Sequence, residues 1–232
     1  MKRLLSFSLV AALSLVAATR REDVVKRLDA SSVDLREILH AKDGGIPRDL
    51  MEKAHCVGII PGMKRAGFVF GADYGKGLVT CRIAGSNHWS APSMVILQGG
   101  SFGLQIGAGE TDVVFTVMNA SGEHRLMQDK FTIGGEVAAM AGPIGRNIQA
   151  QTDVLMRAEI LSWSRSRGLF AGVDLNGASL RPDNDDNLAL YGKSVTQEQI
   201  LHEEGVRHPS EGAALYTELE RYAFRESRTG GY

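Results

Sequence analysis

Apolar residues recur every three or four positions between residues 20 and 40. Val24, Val25, Leu28, Leu35, Ile38 and Leu39 fall on one face at about 100° per residue, the pattern of an amphipathic helix. Gly44 and Gly45 stop it, and Pro47 stands where a new short helix, residues 48–55, would take proline in its first turn. From Cys56 to about Asn119 the period changes to two. Phe68, Phe70, Ala72 and Tyr74 alternate with Gly67, Val69, Gly71 and Asp73, Gly75-Lys76-Gly77 reads as a turn, and residues 78–83 return as the second arm of a hairpin. Residues 93–98, 102–106 and 112–118 continue the strands, and Asn119-Ala120-Ser121-Gly122 closes the run with a turn.

One strand has an unusual face. Gly103, Gln105, Gly107 and Gly109 oppose Phe102, Leu104, Ile106 and Ala108, so one side offers almost nothing to pack. Such a face implies strong curvature, a close helix or the approach of a ligand. After a short helical piece, residues 123–128, a strand is expected over 131–142. A hairpin follows, its arms 158–163 and 169–175 flanking Ser164-Arg165-Ser166-Arg167-Gly168. Asp183-Asn184-Asp185-Asp186-Asn187 reads as a solvated turn, since it lacks the glycine and distal glutamate of a calcium loop. Helices are expected over 196–204 and from an N-cap at Ser210 to about 225, with a loose tail over 229–232. Strands in the middle and helices at both ends predict an α+β fold: a curved, mainly antiparallel sheet or barrel-like core with helices at the N- and C-terminal ends.

The amino end alters this picture. Lys2 and Arg3 precede an apolar stretch, residues 4–16, and Val16-Ala17-Ala18 supplies the small residues of a cleavage site. That layout is a secretory signal peptide over residues 1–18, too short to span a bilayer, which needs about 20 residues. Cleavage would take the net charge from −1 to about −3, because residues 1–18 hold two bases and no acid. A chain so close to neutrality does not advertise nucleic-acid binding, which leans on a basic surface. Residues 19–232 suit a single domain with a C-terminal helical extension from about 206. Export places Cys56 and Cys81 in an oxidising compartment, where they either pair or stay as buried thiols.

Candidate chemistry is sparse. The six histidines, His40, His55, His88, His124, His202 and His208, form no pair at zinc-ligand spacing. Ser90 and Ser101 lack a nucleophile elbow, and the glycine segments at 99–100 and 107–109 lack the lysine of a phosphate loop. The expectation is no catalytic site, no metal and no cofactor. Lys64, Arg65, Arg165 and Arg167 sit in two loops and are the candidate contacts for a lipid headgroup. Trp89 and Trp163 could add an interfacial aromatic, but the favoured reading is burial in the core.

A set of motifs adds a resemblance. Lys53-Ala54-His55-Cys56-Val57-Gly58-Ile59-Ile60-Pro61, Ala66-Gly67-Phe68, Trp89-Ser90-Ala91-Pro92-Ser93, Gly103-Leu104-Gln105-Ile106-Gly107 and Thr111-Asp112 occur in this order. Ala141-Gly142-Pro143-Ile144-Gly145-Arg146, then 164–172, Asn187 and Tyr191-Gly192 follow. Over about residues 23–205 the chain resembles the SYLF domain family. The resemblance implies binding rather than chemistry. Eukaryotic members bind membrane phosphoinositides, fungal members also bind and bundle actin through a basic amino-terminal segment, and bacterial members are exported or lipoprotein-like and often carry both cysteines. It therefore implies a periplasmic or membrane-associated phospholipid-binding module, with an envelope protein partner as the alternative. Residues 20–40 depart from the eukaryotic pattern: five bases are balanced by five acids, so this helix lacks the basic face that docks on anionic lipid.

Overall fold

The computed structural model describes residues 2–41, 45–67, 70–83, 86, 88–102, 107–144, 158–166, 169–202 and 206–222. It begins with α1 (Lys2–His40) and α2 (Arg48–Lys53). Four long strands follow: β1 (Cys56–Gly67), β2 (Phe70–Cys81), β3 (Ser93–Phe102) and β4 (Gly107–Val117). Next come α3 (Ala120–Leu126), β5 (Phe131–Thr132), β6 (Ala139–Ala141), β7 (Ile160–Ser166), β8 (Leu169–Gly172) and β9 (Ser179–Pro182). The chain closes with α4 (Asn184–Tyr191), α5 (Gln197–His202), a 3₁₀ turn at Ser210–Gly212, and α6 (Ala213–Glu220).

The strands form one sheet in the order β5-β9-β3-β2-β1-β4-β7-β6, with β8 on β7. Among the described ladders only β6–β7 is parallel. The sheet curls into a half-barrel, an α+β fold with helices at both ends of the chain, as the periodicity implied.

Alternation along the strands feeds two cores, one on each face. Val57 and Ile59 of β1, Val114 of β4 and Leu161 and Trp163 of β7 meet Val24, Leu28, Leu35 and Ile38 of α1 and Leu215 and Leu219 of α6. Their neighbours in sequence, Ile60, Val113, Phe115 and Ile160, point the other way, toward Leu126 of α3 and Ile200 and Leu201 of α5. Both faces are covered, so a slip of one residue would exchange the two cores, and the register is strongly specified. Trp89 and Trp163 are buried as expected, and each indole N–H is satisfied, by the Leu219 and Pro143 carbonyls.

Several local expectations need correcting. Gly75-Lys76-Gly77 is no turn: β2 runs through it, and the connection from β1 spans residues 68–69, outside the described residues. The glycines serve close approach instead. A Cβ on Gly75 would lie 2.4 Å from Ile60 Cγ2, and one on Gly77 would lie 2.0 Å from the Ile59 carbonyl oxygen. The strand expected over 131–142 is two short ones, β5 and β6, separated by a turn in which Gly134 takes φ 81°. Ser210 opens a 3₁₀ turn rather than capping a helix, and its hydroxyl bonds Glu211. The glycine face expected over 102–109 lies partly outside the described residues; of its glycines, Gly109 has open space where a Cβ would stand.

The largest correction concerns residues 183–187. Asp183 caps α4 by accepting from the Asp186 N–H. Asp186 and Asn187 are 2% and 1% exposed, so this is a buried polar hub rather than a solvated turn. The Asn187 side chain accepts from the Met94 N–H and donates to the Met94 carbonyl, fixing α4 on β3.

Candidate functional site

Lys64 and Arg65 lie in β1 and Arg165 in β7, so none of the three is on a loop; Arg167 falls outside the described residues. Arg65 pairs with Asp73 across the β1–β2 ladder at 2.7 Å. Arg165 is enclosed by carboxylates. It meets Asp34 at 2.8 Å and Asp112 at 2.7 Å, and also pairs with Glu37, tying α1 to β4. Burial and the neighbouring Asp112 charge push the Asp34 carboxyl up to about 6, against the opposing pull of Arg165. The two arginines are thus engaged inside the fold, whereas Lys64 is exposed and makes no ion pair among the described residues.

The bases of α1 are likewise turned to packing. Arg20 Nε and Arg27 Nη1 reach Asp186 at 2.8 and 2.7 Å, and Lys76 of β2 meets the same carboxylate at 3.0 Å. These donors hold the Asp186 carboxyl well below the usual carboxylate range despite its burial. Arg21 donates to the Ala189 and Leu190 carbonyls and pairs with Glu211 at 2.7 Å. The bases of this helix that face the fold are therefore spent on holding it there.

A different basic feature appears where α1, the end of α4 and residues 206–211 converge. A cleft of about 430 Å³ is lined by Arg21, Lys193, Arg207, His208, Ser210 and Glu211, among others. Gly192 in the left-handed conformation, φ 68°, ends α4 and turns Lys193 to the rim. Lys193 and Arg207 are exposed and without an ion pair among the described residues. His208 stacks on Tyr216 with ring centroids 4.0 Å apart, and burial lowers its pKa. Arg21 and the Ser210 hydroxyl are taken up by Glu211, so the two uncommitted cations, Lys193 and Arg207, are the groups that can hold a phosphate-sized anion here. Sequence reading missed this cleft because Lys193 and Arg207 are 14 residues apart with a helix between them. The one available signal was two bases in glycine- and proline-flanked segments.

Cys56 and Cys81 are joined by a disulfide. They oppose each other in the β1–β2 ladder with Cα atoms 3.9 Å apart, and both are fully buried.

Comparison with known proteins adds relatives. The family model described as "Ysc84: Las17-binding protein actin regulator" matches residues 98–222. An SH3 domain-containing protein of Schizosaccharomyces pombe is 34% identical over 201 residues, 85% of this chain and 46% of the relative. LAS seventeen-binding protein 3 of Saccharomyces cerevisiae is 32% identical over 206 residues, 87% of this chain and 44% of the relative. The SH3 domain-containing YSC84-like protein 1 of Homo sapiens is 30% identical over 186 residues, 80% of this chain and 54% of the relative. The chain spans about half the length of the curated relatives it matches.

Proposed function

Since the chain belongs to the Ysc84 family, the SYLF family whose motifs its sequence carries, we propose that it is a non-enzymatic module that docks on anionic phospholipid at the bacterial cell envelope. Export through a leader over residues 1–18 is part of this reading. The buried disulfide supports it, because such bonds persist in oxidising compartments. The observation that carries the lipid reading is the cleft at Lys193 and Arg207: a concave site with two uncommitted cations, in a molecule whose other candidate bases are largely neutralised internally. Lys64, exposed on β1 and sharing no residue with the cleft, is a second candidate contact.

The test is co-sedimentation of the mature chain, residues 19–232, with phosphatidylglycerol vesicles, with phosphatidylcholine vesicles as the control. Each base near an anionic surface contributes about 1 kcal/mol, so Lys193→Ala with Arg207→Ala should weaken binding roughly thirtyfold. Lys64→Ala should weaken it by about fivefold on the same scale. Binding should fade as salt rises, since exposed charges are screened over about 10 Å at 0.1 M. Equal binding by wild type and the double variant removes the cleft. No binding by either favours the second reading, a protein-partner module, which draws on the yeast relative's name as a binding protein. Intact mass of protein from the native envelope checks the leader, whose loss should leave Thr19 as the first residue.

A further inference from the structure

On the opposite face of the sheet, the disulfide lies against a carboxylate that two histidines hold. Glu123, in the first turn of α3, is only 16% exposed in its side chain. One of its oxygens meets His55 Nδ1 at 2.7 Å and the other meets His202 Nε2 at 3.5 Å. His55 immediately precedes β1 and His202 ends α5, so three separate elements converge on this carboxylate. The Cys56 and Cys81 sulfurs and a Glu123 oxygen all lie within 4.8 Å of one another. A cavity of about 560 Å³ opens on the Glu123 side, lined by Glu123, His124, Met127, Gln128, Glu198 and His202, while both cysteines stay buried behind it. The expectation of no metal rested on spacing along the chain. The fold brings together donors 25, 42 and 67 residues apart, the pairs Cys56–Cys81, Cys81–Glu123 and Cys56–Glu123.

We infer that the reduced chain holds a divalent transition-metal ion of zinc type at Cys56, Cys81 and Glu123, and that disulfide formation and metal binding exclude each other. Two thiolates and a carboxylate are donors that zinc accepts in a four-coordinate site, at about 2.3 Å for sulfur and 2.0–2.2 Å for oxygen. A water supplies the fourth donor, because the group within 4.8 Å holds Cys56, Cys81 and Glu123 and not His202. The His55 N–H holds the second Glu123 oxygen, the outer-shell hydrogen bond that orients a ligating carboxylate.

The chemistry balances without a reductant, because the chain is synthesised with both thiols free. Metal binding releases two thiol protons as the two metal–sulfur bonds form. A disulfide-exchange oxidant then removes the pair of electrons: the sulfurs join, the metal leaves as a divalent cation, and the oxidant's own disulfide takes two electrons and two protons to become a dithiol. The Cys56–Cys81 bond is the end state of that sequence.

The experiment titrates cobalt(II), then zinc, into the full chain purified under a phosphine reductant, and into the disulfide form. The reduced chain should bind about one ion with thiolate-to-cobalt charge-transfer absorption and tetrahedral visible bands, and zinc should displace the cobalt. The disulfide form and Cys56→Ser with Cys81→Ser should give no charge-transfer band. Glu123→Gln leaves both cysteines in place, and should weaken binding by at least about tenfold, as should His55→Phe, which has no donor for the outer-shell bond. Circular dichroism of the reduced, metal-free chain guards against a misreading: if that chain is unfolded, zinc must restore the spectrum of the disulfide form. The inference is overturned by a charge-transfer band in the disulfide form, by its absence in the reduced one, by Glu123→Gln binding as tightly as wild type, or by metal bound to a chain that stays unfolded.

Discussion

Helix α1 is pinned at two points by ion clusters of opposite design. Near its residues 20–27, Arg20, Arg27 and Lys76 face Asp183, Asp185 and Asp186, three cations against three anions. Near its residues 34–37, the single guanidinium of Arg165 faces Asp34, Glu37 and Asp112, one cation against three anions. The first is balanced and holds its buried carboxylate ionised. The second carries a surplus of two negative charges and raises the proton affinity of Asp34. Similar distances thus have different consequences: the first cluster is cohesive wherever its carboxylates are charged, and the second becomes easier to bury as one carboxylate takes up a proton.

The comparison is broken most strongly at Asp186. Removing it by Asp186→Ala leaves Arg20, Arg27 and Lys76 without their shared, nearly buried partner. Breaking a buried pair from one side costs about 3–5 kcal/mol. Denaturant unfolding at neutral pH should show a loss at the lower end of that range, because Asp183 still meets Lys76 at 2.6 Å. The folded pKa of Asp186 lies below its unfolded value, so this stabilisation is present above the unfolded pKa and is lost as pH falls through the folded one. A loss under about 1 kcal/mol would mean that solvent replaces the hub and that the two clusters do not differ as described.

Next in size is Arg165. Arg165→Met should cost about 2–3 kcal/mol at pH 7.5, since three carboxylates then share the site with no cation. The loss should shrink toward pH 5, where Asp34 is protonated. A penalty that does not vary with pH would break the comparison at its second half.

Asp34→Asn sharpens the contrast with a smaller effect. The folded pKa, about 6, stands above the ordinary value of 3.8. The native state therefore binds a proton more readily than the unfolded chain, and wild-type stability falls as pH rises from about 4 through about 6. Asparagine cannot ionise, so this dependence should vanish from pH-resolved unfolding curves. At pH 7.5 the variant should be more stable by about 1 kcal/mol, the gain from an uncharged group being reduced by the lost pair with Arg165. Destabilisation at pH 7.5 would show that the pair outweighs the crowding of anions.

These clusters mark where sequence reading succeeds and where it stops. Val24, Leu28, Leu35 and Ile38 announce the buried face of α1 through their spacing, because the 3.6-residue period is a local property. The α+β class and the β7–β8 hairpin are legible for the same reason. The partners of the charges are not. Arg27 and Asp186 are 159 residues apart, and an isolated run of acids reads as solvated until a helix is laid across it. Gly75 and Gly77 fail differently: glycine marks both turns and close approaches, and only the neighbouring strand decides which. Two cysteines 25 residues apart leave pairing open in sequence, whereas the β1–β2 register places them face to face.

The smallest effect is expected at the rim of the balanced cluster. Arg20 is 40% exposed in its side chain, and its second partner, Asp185, is 72% exposed. Burial opposes the raising of its pKa, whose largest cause is the hydrogen bond to Asp186. Asp186 keeps Arg27 and Lys76 when Arg20 is removed, so no buried charge is orphaned. Arg20→Ala should therefore cost only about 0.5 kcal/mol, in the range of an exposed pair, and that cost should fall further in high salt. Arg27, 18% exposed, is the control within the same cluster: Arg27→Ala at matched pH and salt should cost at least twice as much and respond less to salt. If the two arginines prove equal, the cohesion of the cluster does not come from burial, and the ranking from Asp186 outward has to be redrawn around net charge alone.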